Sequence, residues 1–282
     1  LLLGFGCSVP AILSTRRIEG RNDRLVTIAI LPMMSCAGRL PIYMMFVSAL
    51  FPSHLQATVL FGIYAAGILL ALLCARLLKN TFFKTVQRDA PHRLKRLRIP
   101  SLRKVGLLMW SRAFMYVRKA GTFILGASII LWFLNTYPRP EEGTAENAAA
   151  AMEHSYAGQI GHWMEPVTRV AGFDWKVNSA LLGAFAAKEI FVTQMGILYA
   201  VQDGDSGPEA QQTLNTRLKA SYTPLQGISI MIFCLIALPC IGTVTVAKRE
   251  AGTWWFALAQ FAGLTVMGFV TATVVYQVGL LL

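Results

Sequence analysis

Six long apolar runs, divided by short clusters of charge, limit this chain more than any other feature. Residues 25–51, 55–78, 120–137, 177–200, 224–246 and 254–282 each approach or exceed the ~20 residues that carry a helix across a bilayer core. Backbone N–H and C=O groups find no water there. Runs of this length must therefore satisfy them internally, as helices. Composition agrees, with 55% hydrophobic and 14% charged residues, where a soluble domain carries about 25% charged. The expected fold is all-α, a polytopic transmembrane helical bundle in a lipid bilayer.

The formal charge of +12 would suggest nucleic acid in a soluble protein, but its location excludes that reading. Between Arg76 and Lys119 stand thirteen Lys or Arg and one acidic residue, Asp89. Between Tyr137 and Trp175 stand six acidic residues and two Arg. Under the positive-inside rule, 76–119 is cytoplasmic and 137–175 lies on the far side. Within the basic stretch, 101–119 mixes Leu107, Trp110 and Phe114 with cations, the pattern of an amphipathic helix on the membrane surface. Residues 138–175 and 201–223 read as polar loops, the first with some helix.

The apolar runs are interrupted where a plain span would not be. Gly6-Cys7-Ser8-Val9-Pro10 opens the chain's first apolar stretch. Ser35-Cys36-Ala37-Gly38-Arg39-Leu40-Pro41 splits the second, and Leu238-Pro239-Cys240-Ile241-Gly242 splits 224–246. Pro and Gly free backbone groups that can then line a pathway, and a thiol there is a soft ligand for a transition metal. The competing reading makes these cysteines small hydrophobes, and it weighs more heavily on Cys74 and Cys234, which have no break beside them. Lys188-Glu189 sits in the middle of 177–200, where an ionisable residue is a functional candidate. If 177–200 crosses fully, Lys248 and Arg249 fall on the wrong side. If it is re-entrant or a broken hairpin, they fall inside, and the second arrangement is preferred. Five cysteines give no disulfide framework, and no phosphate-binding loop or hydrolytic triad is present in the sequence.

The blocks Gly4–Ile12, Arg21–Thr27, Pro32–Tyr43, Ala186–Ile190 and Leu238–Cys240 followed by Arg249–Trp254 resemble, in order and spacing, the membrane part of the bacterial ferrous-iron transport protein B (FeoB) family. The resemblance implies Fe(II) transport through gate-type, nucleoside-transporter-like modules with broken or re-entrant helices, in a multi-pass protein of the bacterial inner membrane. It implies that Cys7, Cys36 and Cys240 line the ion path, with Glu189 as an internal carboxylate and Arg39 and Lys188 as supports. The family pattern commonly has Ser-Ala-Arg after the second cysteine where this chain has Ala37-Gly38-Arg39, which loosens the backbone there. In this reading 1–54 is a connecting segment with a broken membrane helix. Residues 55–119 are a span plus the basic region, and 120–282 is the second gate-type module. The first residues, Leu1-Leu2-Leu3-Gly4, read as the interior of a longer polypeptide. The G domain with its GTP and Mg2+, and the first gate module, would lie outside this chain. No enzymatic activity and no bound cofactor are expected here, Fe(II) being cargo. A homo-oligomer and a small cytoplasmic FeoA-like partner are implied. Two alternatives remain: a small-solute or nucleoside carrier with Asn178, Ser179 and Gln194 facing a cavity, and a scaffold that transports nothing.

Overall fold

A computed structural model describes residues 2–18, 20–81, 101–138, 152–199 and 208–281. Every long element among them is a helix. In chain order these are α1 (Ser8–Ser14), α2 (Arg21–Ile30), α3 (Leu40–Leu50), α4 (Ser53–Thr81) and α5 (Leu102–Thr136). They continue with α6 (Tyr156–Thr168), α7 (Trp175–Ala186), α8 (Lys188–Leu198), α9 (Pro208–Ser221), α10 (Pro224–Ile236), α11 (Ile241–Ala251) and α12 (Trp254–Leu281).

Four stretches are long and apolar enough to span a membrane: Arg21–Leu50, Ser53–Thr81, Pro224–Ala251 and Trp254–Leu281. Two of these are continuous helices and two are broken near their middle. The α2–α3 span opens between Leu31 and Arg39, where Pro32 and Pro41 frame two short 3-10 turns. The α10–α11 span opens at Ala237–Cys240. Pro239 follows Leu238, whose φ of 53° is a left-handed conformation that a bulky side chain rarely adopts. α10 starts on a complete capping box, with Pro224 at the first turn and Thr223 and Gln226 satisfying each other's backbone N–H. α11 ends on Gly252, whose φ of 85° is the left-handed C-terminal stop.

Contacts fix the direction of each element. At one end Arg16, Arg24 and Glu250 meet, as do Lys79 and Asp23. This is the basic end, and it gathers the start of α2 and the ends of α1, α4 and α11. At the far end Ser48 donates to Asn215, Tyr222 donates to Asp174, and Gln277 reaches the Val170 carbonyl. Thus α2–α3 rises from the basic end and α4 returns to it, while α10–α11 descends to the basic end and α12 rises from it. Each pair is a broken span followed by a continuous one, and the pairs run in opposite senses. That is the inverted-topology arrangement in which irregular backbone is packed at the centre.

α7 and α8 form a re-entrant hairpin. α7 enters from the far end, where Asp174 caps it by accepting from the Val177 N–H at 2.9 Å. The turn at Ala187 lies deep in the bundle. α8 returns to Tyr199, whose ring lies under the Lys176 ammonium at 4.4 Å. The preferred arrangement therefore holds, and Lys248 and Arg249 share the end occupied by Arg16 and Arg24.

Three expectations need correction. Residues 101–119 do not form a separate surface helix, because no proline interrupts α5 and it runs unbroken from Leu102 to Thr136. Residues 152–175 carry the helix expected in the first polar stretch but are not a loop: α6 packs on α7 so closely that a Cβ on Gly161 would lie 2.5 Å from the Trp175 carbonyl oxygen. Residues 208–221 form α9, which buries Leu214 and Leu218 in the main core. The remainder of the two polar stretches, 139–151 and 200–207, and the basic segment 82–100 lie outside the described residues.

Candidate functional site

The four interruptions meet one another. The Ala37 N–H donates to the Gly6 carbonyl at 3.2 Å, joining the first break to the second. A Cβ on Gly38 would lie 2.8 Å from Glu189 Oε1 and 3.6 Å from Lys188 Cβ, so the second break abuts the tip of the hairpin. A Cβ on Gly242 would lie 3.6 Å from Val9 Cγ2, so the third break abuts the first. The N-termini of α1, α8 and α11 and of the turn before α3 thus converge with the C-termini of α2, α7 and α10. Each helix end leaves backbone donors or acceptors outside its own ladder, and here both kinds face one small region.

The candidate residues take a common position in this arrangement. Cys7, Cys36 and Cys240 each precede a helical turn in extended conformation, with ψ of 133°, 162° and 156°. All three are partly buried and outside any disulfide. Cys240 Sγ lies 3.2 Å from Thr243 Oγ1. Cys36 and Cys240 occupy matching places in the two opposed broken spans, each followed two residues later by glycine. Glu189 stands in the first turn of α8, with Oε1 where a Cβ on Gly38 would come within 2.8 Å. Gly38 thus serves close approach of the carboxylate. Its φ is not in the left-handed region, so the close approach, and not a left-handed turn, is what glycine permits here.

Arg39 and Lys188 are buried, at 2% and 5% exposure. Arg39 Nη1 donates to the Met34 carbonyl at 3.1 Å, while its Nε has no hydrogen-bond partner. Lys188 Nζ has none either. Burying a charge without a bonded counter-charge is costly, so buried cations are normally paired. Across the second break Lys188 approaches Gly38, where a Cβ would lie 3.6 Å from Lys188 Cβ.

Cys234 was not separable from an ordinary apolar residue in the sequence, and it is fully buried in the main core, in the last turn of α10. Its position in the last turn before the Ala237 break was the available signal. Tyr43 and Ser35 are also buried, their hydroxyls 3.3 Å apart. Cys74 faces elsewhere, its thiol 3.6 Å from Met267 Sδ between α4 and α12. Met33, Met34, Met45 and Met195 are buried core residues. His162 is at the far end, between Glu153 at 3.6 Å and Glu165 at 3.5 Å. Among the described residues, no three His, Cys, Asp or Glu side chains already stand close enough to hold a metal ion.

The polar groups that a nucleoside-type carrier would aim into a cavity are used in packing. Asn178 donates to the Gly161 carbonyl and Thr168 Oγ1, and Gln194 bridges Ser179 and Asn135. These bonds tie α6 to α7 and the hairpin to α5.

Comparison with known proteins gives the following. Residues 60–112 match the family model described as ferrous iron transport protein B C terminus, and 117–254 match the one described as nucleoside recognition, or Gate. A Fe(2+) transport protein A/Fe(2+) transporter FeoB fusion protein of Porphyromonas gingivalis is 37% identical over 100% of this chain and 37% of its own length. A Fe(2+) transporter FeoB of Campylobacter jejuni is 34% identical over 96% of this chain and 44% of its own. That of Methanocaldococcus jannaschii is 36% identical over 100% and 41%. The chain thus spans about two fifths of the length of these curated relatives. No solved structure matches it.

Proposed function

The chain belongs to the ferrous iron transport protein B family, and from that premise we propose that its helix breaks form a membrane path for Fe(II). The observation that carries this reading is the meeting of all four breaks, with Cys36 and Cys240 in matching places of two opposed spans. Fe(II) accepts sulfur, carboxylate and carbonyl ligands. Cys7, Cys36, Cys240 and Glu189 offer the first two kinds, and the last-turn carbonyls of α2, α7 and α10 offer the third. A transported ion must also leave, which favours a site completed only as the ion passes.

The basic end is cytoplasmic in this reading, and the membrane is the bacterial inner membrane. The chain's part is passage of the ion and not catalysis, and GTP and Mg2+ act on a part of the protein outside it. Residues 120–282 are the gate-type unit, 55–119 supply a span and the basic region, and 1–54 bring two further breaks to the path. A small cytoplasmic protein of the type fused in the Porphyromonas relative docks at the basic end, and the transporter is a homo-oligomer.

The test is Cys→Ser replacement at positions 7, 36 and 240, one at a time, in an intact transporter carrying this sequence, with uptake of radioactive Fe(II) measured under reducing conditions. Loss of a soft ligand is expected to cut the uptake rate about tenfold or more at each position. Cys74→Ser, facing Met267, should leave it unchanged. Undiminished uptake in all three path variants would refute the assignment.

A further inference from the structure

A groove opens between α4 and α12 toward the basic end, and the ion path makes no use of it. Nearer the middle of the bundle, α10 fills the space between these two helices. A Cβ on Gly67 of α4 would lie 2.9 Å from Leu235 Cδ1, and one on Gly268 of α12 would lie 2.8 Å from Ala237 Cβ. α10 stops at its break, and below it the chain continues as α11, packed on α1 and α12. There the space between α4 and α12 stays open, with a volume of about 410 Å³. Cys74 and Thr81 mark the ends of its α4 wall, Met267 and Phe256 those of its α12 wall, and Ala29 and Met33 line its floor. Gln260, the one amide side chain among the lining residues, is already committed: its Nε2 donates to the Ile28 carbonyl at 2.8 Å.

Depth, width and charge point to one occupant. At 1.5 Å per residue, the α4 wall from Cys74 to Thr81 is ~10 Å long and the α12 wall from Phe256 to Met267 ~16 Å. One leaflet of a bilayer core is about 15 Å deep, half of the ~30 Å total. The walls touch at the inner end, where Cys74 Sγ lies 3.6 Å from Met267 Sδ. A helix, about 10–12 Å across with its side chains, cannot enter such a wedge, whereas an acyl chain can. The mouth is basic and interfacial. Exposed Lys79 stands two residues before Thr81. Exposed Trp254 and Trp255 precede Phe256, and the Lys248 ammonium lies 4.7 Å over the Trp254 ring. The carboxylates described at this end, Asp23 and Glu250, are already paired, with Lys79 and with Arg16 and Arg24. Arg17, Arg21 and Arg249 add exposed positive charge. Basic pockets between membrane helices suit anionic head groups.

We propose that the groove holds one acyl chain of an anionic phospholipid, whose phosphate is held at the mouth by Lys79 and Lys248. The end of the acyl chain meets Met33, inside the α2–α3 break. The lipid thereby closes the outer wall of a broken span, where opened backbone must stay packed and shielded. This role is independent of which ion passes the breaks.

The experiment is native mass spectrometry of the whole chain released from nanodiscs of equal parts phosphatidylglycerol and phosphatidylcholine with matched acyl chains. The wild type should retain one phosphatidylglycerol, preferred about tenfold over phosphatidylcholine. Gly263 lines the groove, and a Cβ there meets nothing within 4 Å. Gly263→Leu should therefore fill the groove and lose the retained lipid. Ala259→Leu, on the same wall, should do the same and stands in if the first variant fails to fold, which size-exclusion profiles would reveal. Lys79→Gln combined with Lys248→Gln should still retain one lipid, without preference between the two head groups. Equal retention by the wild type and both groove-filling variants would overturn the proposal. So would a wild type that retains no lipid but whose oligomer is broken by Gly263→Leu, since the groove would then be a seam between protein chains. An undiminished preference in the double glutamine variant would overturn the assignment of the phosphate to these two lysines.

Discussion

Glu250 shows how much a single side chain can carry at a helix end. Its carboxylate is 2% exposed. Arg16 Nε reaches its two oxygens at 3.0 and 2.9 Å, and Arg24 Nη2 bonds the carboxylate and, at 3.1 Å, the Glu250 carbonyl. Three elements (α11, α2 and the turn after α1) are thereby tied together. The two arginines are not equivalent. Arg16 is 52% exposed and Arg24 29%, so solvent and salt weaken the first pair more. Glu250→Gln keeps the shape and removes the charge, leaving two guanidinium groups facing a neutral amide. It should lower stability by about 1–3 kcal/mol, read from thermal unfolding in detergent. Arg24→Gln should cost more than Arg16→Gln. Equal midpoints for Glu250→Gln and wild type would mean that the cluster contributes nothing to holding the basic end.

The elements that cross the membrane depend on glycine where one helix passes another's break. A Cβ on Gly268 of α12 would lie 2.8 Å from Ala237 Cβ and 3.1 Å from the Ala237 nitrogen, at the point where α10 opens. Backbone cannot yield as a flexible side chain can. A Cβ on Gly263, five residues earlier on the same helix, would meet nothing within 4 Å. Both substitutions by alanine gain the same helix propensity. Gly268→Ala should therefore be less stable than Gly263→Ala by about 1–3 kcal/mol, measured by thermal unfolding of the two proteins side by side. The existence of these breaks was legible in the sequence because Pro, Gly and charge have a fixed meaning inside an apolar run. Their meeting was not legible. The Ala37–Gly6 hydrogen bond, the contact of Glu189 with Gly38 and the pairing of Arg16 with Glu250 join residues 30 to more than 200 positions apart, and local pattern carries no information on that scale. The polar stretch containing α9 misled for the opposite reason. Its charges are those of a solvated face, while only Leu214 and Leu218 mark the face that packs on α3.

At the scale of the whole molecule, the two halves across the membrane are held by different amounts of core. Phe46, Phe191, Met195, Leu218 and Phe233 belong to one large buried cluster that runs from the breaks toward the far end. Toward the basic end the separate cluster is small: Ala11, Ile12, Ile28, Leu31 and Ala247, closed by the ion pairs on Glu250. Between helices in lipid there is no hydrophobic driving force, so packing scales with the number of contacts made. The basic end is therefore held mainly by its ion pairs and the smaller cluster, and is the cheaper one to open. This depends on the topology, in which α7 and α8 both meet the far face and α11 ends on the basic face. Single cysteines in a background with the native five replaced by serine or alanine test it directly. Ser53→Cys and Ser221→Cys, both exposed, should react with a membrane-impermeant maleimide from outside intact cells, whereas Arg17→Cys and Arg249→Cys, also exposed, should react only after the membrane is opened. Were 177–200 a full crossing, Ser221→Cys would change sides and react with the cytoplasmic set. The opposed senses of the two broken spans would then be lost, and with them the matched placement of Cys36 and Cys240 on which a shared ion path depends.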